Sequence, residues 1–226
     1  MSAKIIVIEG LDGSGKATQA KLLIQNLLKN KKSAKIISFP DYNSPSSTLV
    51  KLYLNGEISK NLSDINAYAA SSFYAVDRYI SYIKHWKYLY DSVDFIVSDR
   101  YTTSNAVYQM TKLSKPDWDN YIKWLEDYEY NKLSIPYPDL VIYLDMPIKI
   151  SQNLMNLRYN GDTSKKDIHE ANLDFLYKCR DTANYLSKKL SWSVIDCYEK
   201  DKNGNYCPRK INDISNDIIK ITNRLI

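Results

Sequence analysis

The stretch IVIEGLDGSGKATQ, residues 6–19, spaces Gly10, Gly15 and Lys16 as a phosphate-binding loop does: glycine, four residues, glycine, lysine. Successive backbone N–H groups of such a loop wrap a phosphate, and the start of a following helix adds the positive end of its dipole. Gly13 and Gly15 permit the tight curve, and Lys16 is placed to bridge the terminal phosphates of a nucleoside triphosphate. The next position departs from the pattern. Ala17 stands where a serine or threonine hydroxyl would meet a magnesium ion, and Thr18 comes one residue late. Asp12, inside the loop, would repel phosphate oxygens. It is expected to turn towards a neutral group such as a sugar hydroxyl, or to stand as a solvated loop aspartate.

Two further constellations carry chemistry. In VSDRYTTSNAVYQ, residues 97–109, Asp99 and Arg100 fall at the end of an apolar strand, the edge that faces the ligand crevice in an open α/β sheet. An arginine there suits two-pronged phosphate recognition, or else a structural Asp–Arg pair. In SFYAVDRY, residues 72–79, Tyr74 and Arg78 are four apart and share a helix face. A ring and a guanidinium on one face suit a base and its phosphate, or an ordinary surface pair.

The elements that must position these groups are legible. Short apolar runs at 5–8, 35–39, 95–97, 140–144 and 194–195 alternate with helical patterns, as in a parallel sheet covered on both faces. Ala20, Leu23, Ile24, Leu27 and Leu28 form one apolar stripe after Lys16, so the glycine loop lies between a strand and a helix. Long helices are predicted over 64–90, 118–131, 147–159 and 173–190. NGDTSKK, 160–166, reads as a mobile loop, and DKNGNYCP, 201–208, as a turn-rich surface excursion. No repeat or linker divides the 226 residues, which predicts one doubly wound α/β domain.

Composition narrows the function classes. A formal charge of +5 is compatible with a phosphorylated substrate and too weak to argue for DNA binding. Cys179, Cys197 and Cys207 form no CxxC pair, and His85 and His169 are the only histidines, which argues against a zinc site or a disulfide framework. No apolar stretch has the length of a membrane span, and the expectation is a cytoplasmic protein with reduced thiols.

Taken together, EGLDGSGKATQ (9–19), FP (39–40), YAVDR (74–78), DRYTTSNAVYQ (99–109), LDMP (144–147), DIHE (167–170) and VID (194–196) resemble the thymidylate kinase family, over about residues 5–195. The resemblance implies a P-loop NTPase fold: one domain over 1–226, a five-stranded parallel sheet covered by helices on both faces, and a mobile lid at about 158–170. It implies transfer of the γ-phosphate of ATP to dTMP, with Mg2+. Gly10, Leu11, Asp12, Gly13, Ser14, Gly15, Lys16, Ala17 and Thr18 would bind ATP. Asp12 would also bind the 3′-hydroxyl of dTMP, Arg78 and Arg100 its phosphate, and Tyr74 would stack on thymine. Asn105 would read the base edge, Tyr108 would pack on the deoxyribose, and Ser104, Phe39 and Pro40 would complete that pocket. With no hydroxyl at Ala17, Asp99, Glu9 or Asp12 would hold the metal, through water. Gly13 offers no charge, so Lys165, Lys166 and Arg158 of the lid are expected, with Lys16 and Arg100, to supply the catalytic cations. A homodimer through helices around 68–90 or 105–112 is also implied. Two alternatives stay open: a related deoxynucleoside monophosphate kinase with another base preference, and a catalytically weak nucleotide-binding regulator.

Overall fold

A computed structural model describes residues 2–160, 162, 168–170 and 172–225. The five apolar runs become strands β1 (Lys4–Gly10), β2 (Ala34–Ser38), β3 (Phe95–Asp99), β4 (Leu140–Asp145) and β5 (Ser193–Asp196). All pair in parallel, in the order β2-β3-β1-β4-β5. Alternate side chains of one strand serve opposite faces. Ile5 and Val7 join Ile96, Val141 and Tyr143 in one core, while Ile6 and Ile8 join Val97, Ile142 and Leu144 in the other.

The helices divide accordingly. On the second face lie α1 (Lys16–Lys29), through Ala20, Leu23 and Leu27, and the carboxyl-terminal helix Ile211–Thr222, through Ile214 and Ile218. Three helices contribute to the first core: Thr102–Gln109 through Ala106 to Tyr108, Trp118–Glu126 through Tyr121, Ile122 and Leu125, and Leu173–Lys189 through Cys179, Ala183 and Leu186. In chain order the remaining helices are α2 (Thr48–Leu54), α3 (Ala67–Ser81), α4 (Lys87–Tyr90) and Ile148–Arg158. The first-face helices just named are α5, α6 and α8, Ile148–Arg158 is α7, and the carboxyl-terminal helix is α9.

The helix expected over 64–90 starts instead at Ala67, where the Asn66 side chain accepts the Ala69 N–H, and passes through a π-helical turn at Tyr82–Trp86. A second π-helical segment, Asp127–Lys132, follows α6. The excursion after β5 is a small antiparallel hairpin, β6 (Tyr198–Lys200) and β7 (Tyr206–Pro208). Among the described residues, no helix is long and apolar enough to cross a membrane.

This topology makes the site. β1 and β3 are neighbours, yet the helix after β1 packs on one face and α5, after β3, packs on the other. The chain therefore parts beyond their carboxyl ends and leaves a crevice there.

Candidate active site

The glycine loop leaves β1 at Gly10 and enters α1 at Lys16. Gly15, at φ +90°, is the residue before the helix, and no side chain caps it. The first turn of α1 holds no acidic residue, and its leading N–H groups have no partners within the helix, which suits an anion. Gly13, at φ +80°, lies where α7 crosses the loop: a Cβ there would stand 2.5 Å from the Ser151 carbonyl oxygen. That contact explains why the loop carries no basic side chain at this position. Lys16 is buried, and its Nζ donates to the Leu11 carbonyl at 2.9 Å and lies 3.9 Å from Asp12. Burial and the nearby Arg100 charge lower its pKa.

Asp12, Arg100 and Tyr108 form one cluster. The Arg100 Nη2 donates to Asp12 Oδ1, its guanidinium lies 5.0 Å from the Tyr108 ring centroid, and the Tyr108 hydroxyl donates to Asp12 Oδ2 at 3.1 Å. Burial would raise the Asp12 pKa, but Arg100 and Lys16 outweigh it and hold the carboxyl well below its ordinary range. Arg100 reaches this place through a left-handed backbone, φ +64°, fixed by its N–H on Ile8 (3.2 Å) and by the Ser98 hydroxyl donating to its carbonyl.

A cavity of about 810 Å³ joins the two halves. Gly13, Gly15, Lys16, Ala17 and Thr18 line one side, and Tyr74, Arg78, Arg100, Asn105 and Tyr108 the other. Arg158, Tyr159, His169 and Glu170 close a third. Phe39 and Pro40, joined by a cis peptide bond, also border it; the Phe39 ring is buried against Trp86 and Tyr101.

Several expected roles change. Arg78 does not stand free for a phosphate. Its Nε and Nη2 donate to the Glu129 carboxylate at 2.7 and 2.9 Å, and its Nη1 to the Tyr101 carbonyl at 3.2 Å. Both side chains of that pair are almost wholly buried, so losing either would cost about 3–5 kcal/mol. Glu9 does not present itself to a metal. Its Oε1 accepts the Gly10 N–H at 2.9 Å, and its Oε2 accepts the Thr103 and Ser104 hydroxyls at 2.6 and 2.8 Å. The Ser104 hydroxyl proton is thereby used inside the protein, although the residue still borders the cavity. The 105–112 segment cannot offer an apolar docking face along α5, because Asn105 to Gln109 are all buried.

A metal fits Asp99 better. Its Oδ1 is buried without a hydrogen-bond partner, and the residue borders the cavity. Ala17 and Thr18 are exposed and border the same cavity. Among the described residues, no group of three or more histidines, cysteines or carboxylates gathers to hold a metal, so a magnesium ion here would depend mainly on phosphate oxygens and water.

Lys165 and Lys166 lie outside the described residues. Arg158, at the end of α7, faces Glu170 at 3.4 Å and the Tyr159 hydroxyl at 2.7 Å, with its side chain 56% exposed. The sequence reading gave no role to Glu129, Tyr53 or His169. The His169 ring stacks on Tyr108 (centroids 5.7 Å apart, 19° between planes), and its Nε2 lies 3.1 Å from the Tyr53 hydroxyl. Burial, with Lys112 adding repulsion, lowers its pKa to about 3. Glu129 did leave a signal: Tyr121, Leu125 and Glu129 recur every four residues, which puts a charge on an apolar stripe.

The family model for thymidylate kinase matches residues 8–203. A probable thymidylate kinase 1 of Saccharolobus solfataricus is 31% identical over 202 residues, 88% of this chain and 91% of that protein. The thymidylate kinase of Plasmodium falciparum is 28% identical over 217 residues, 96% and 88% of the two chains. The solved thymidylate kinase of Candida albicans superposes with a TM-score of 0.70 at 23% identity, covering 99% of this chain and 92% of that one, a likeness of fold. With a phosphate loop and an acceptor pocket opening into one cavity, and with the family model spanning nearly the whole chain, the protein belongs to the thymidylate kinase family.

Proposed function

We propose that the chain transfers the γ-phosphoryl group of ATP to the phosphate of dTMP, giving dTDP and ADP. The observation that carries this reading is the single cavity bordered by both the phosphate loop and the Tyr74–Arg78–Arg100–Asn105–Tyr108 wall. A donor and an acceptor can lie there with their phosphates meeting at Lys16 and Arg100. Phosphoryl transfer asks mainly for in-line placement and cancellation of charge. The loop N–H groups and Lys16 hold the triphosphate. Arg100 shares its guanidinium between Asp12 and the dTMP phosphate. Asp12 takes the 3′-hydroxyl, Tyr74 stacks on the base, Asn105 reads its edge, and Tyr108 packs against the sugar. Asp99 is the residue that would hold a magnesium ion or its water, and that ion would supply charge neutralisation to the triphosphate. No general base is needed, because the acceptor phosphate is already anionic. Lys165, Lys166 and Arg158 supply further positive charge to the transferring group.

We also place the protein in the cytoplasm, in keeping with its unpaired cysteines, and as a homodimer through α3. The test of the activity is ADP release coupled to each of dTMP, dUMP, dGMP and AMP. ADP release that depends on dTMP and exceeds that with the other acceptors supports the reading. ATP turnover indifferent to dTMP overturns it.

A further inference from the structure

Beneath the acceptor wall, four hydrogen bonds converge on one buried carboxylate. Glu129 accepts Arg78 Nε and Nη2, Asn105 Nδ2 at 2.8 Å and the Thr102 hydroxyl at 3.2 Å. A carboxylate offers about four acceptor positions, so these donors occupy it fully. The residue comes from the π-helical segment after α6, a rare backbone form that recurs at functional sites. It is wholly buried, and it touches two residues that border the cavity without bordering it itself.

The consequence for Asn105 is chemical. An amide has two interchangeable orientations, and its neighbours decide between them. The groups on one side of this amide are the Glu129 carboxylate and, at 3.1 Å, the Ser71 carbonyl. Both only accept. Nδ2 must face them, and both its hydrogens are used there, so Oδ1 is the polar atom left for the cavity. Arg78 has five N–H groups, and three are used on Glu129 and Tyr101. Those left are donors. The wall therefore offers an acceptor from Asn105 beside a donor from Arg78.

We propose that Glu129 is a specificity-determining positioning residue: by fixing the Asn105 amide and the Arg78 fork, it makes the pocket select a base with a carbonyl next to a ring N–H. Thymine and uracil carry that edge. Cytosine carries the inverse, an amino group beside a ring acceptor, and meets acceptor against acceptor and donor against donor. The proposal rests on the dTMP reading above.

The test measures kcat/KM for dTMP, dUMP and dCMP, KM for ATP, and the melting temperature, in wild type, Glu129→Gln and Glu129→Asp. Wild-type turnover comes first: if dTMP is no substrate, the activity reading fails, and if dCMP equals dTMP, the edge code fails while the activity stands. In Glu129→Gln one of the two acceptors that hold Nδ2 becomes an amide able to donate, which leaves the Ser71 carbonyl alone to orient Asn105 and lets Nδ2 reach the cavity in part of the molecules. The dCMP-to-dTMP ratio should rise about tenfold or more, the worth of one mismatched hydrogen bond, with dUMP falling alongside dTMP and KM for ATP unchanged. Glu129→Asp keeps the charge opposite Arg78 and withdraws the carboxylate from Asn105. It should relax the ratio too, and it decides the matter if Glu129→Gln does not fold. An unchanged ratio in the folded variants, whatever their overall activity or ATP KM, reduces Glu129 to a structural partner of Arg78 and overturns the proposal.

Discussion

Arg100 holds a backbone conformation, φ +64°, that costs a non-glycine residue about 1–3 kcal/mol. The Ser98 and Ile8 bonds fix it, and the side chain is thereby aimed back between Asp12 and Glu9, at the mouth of the crevice. At the crevice mouth, a guanidinium so held can grip a phosphate while it keeps its pair with Asp12. Arg100→Ala is therefore expected to lower kcat/KM for dTMP by about 10- to 150-fold, the equivalent of about 1.5–3 kcal/mol for a lost charged hydrogen bond. KM for ATP and the melting temperature should move little. Normal dTMP turnover in that variant, or an unfolded protein, would sink the assignment. The contrast with Arg78 shows what residue types alone conceal. Both arginines follow an aspartate and precede a tyrosine. Only the packing of a distant segment distinguishes them, because the partner that claims Arg78, Glu129, lies 51 residues further along.

At the scale of elements, α7 and the segment 168–170 decide the shape of the site. Gly13 combines φ +80° with a Cβ position 2.5 Å from the Ser151 carbonyl, a backbone atom that cannot swing aside. Gly13→Ala should destabilise the fold by about 1–3 kcal/mol and weaken ATP binding together with it. An alanine variant with the wild-type melting temperature and ATP KM would mean that α7 gives way freely. Segment 168–170 docks through the Ile168 N–H on the Leu54 carbonyl at 3.3 Å and through His169 between Tyr53 and Tyr108. The folded pKa of His169, about 3, lies below its unfolded value of about 6.5. Its neutral form is the one the fold accepts. The stability it carries is thus complete above about pH 6.5 and drains as pH falls towards about 3, by up to ~1.4 kcal/mol per pH unit. Melting temperatures from pH 7 to 4 should fall more steeply for wild type than for His169→Gln, and superimposable profiles would contradict a neutral buried ring. How far these elements were legible follows from their patterns. The three central strands were readable because strands covered on both faces are apolar nearly throughout, whereas the half-exposed edge strands β2 and β5 showed only short apolar runs. Helix α5 gave no periodic signal, because four of its seven buried residues, Thr102, Thr103, Asn105 and Gln109, are polar. Helix α9 carries its inward face in the four-residue spacing of Ile214 and Ile218. The stripe of Tyr121, Leu125 and Glu129 marks a charge turned inward, but the π-helical turn that carries it and the partner 51 residues away leave no mark in the local pattern.

At the scale of the whole molecule, α3 faces two ways. Ala70, Ser71, Ala75 and Arg78 turn inward, and Tyr74 borders the cavity. Tyr68, Val76, Tyr79 and, one turn beyond, Ile83 are exposed by 36–49%. Their positions, 68, 76, 79 and 83, keep helical spacing, so they form one apolar stripe along the outer surface. A single exposed apolar residue needs no explanation, but four on one side of a helix, interrupted only by Ser72, call for one. A second copy of the chain, related by a two-fold axis, would cover each row with its own counterpart. The same helix would then be clamped from outside while it presents Tyr74 and Arg78 to the base on the inside. Dimerisation and acceptor binding are coupled on this account, whereas the phosphate loop, on the other side of the crevice, is not. The double variant Val76→Glu with Ile83→Glu places like charges across the axis. It is expected to halve the mass measured by light scattering and to raise KM for dTMP more than KM for ATP. A wild-type protein that already scatters as a monomer removes the dimer. A variant that becomes monomeric with both KM values unchanged removes the coupling, because the inner face of α3 would then hold its residues without help from the outer one.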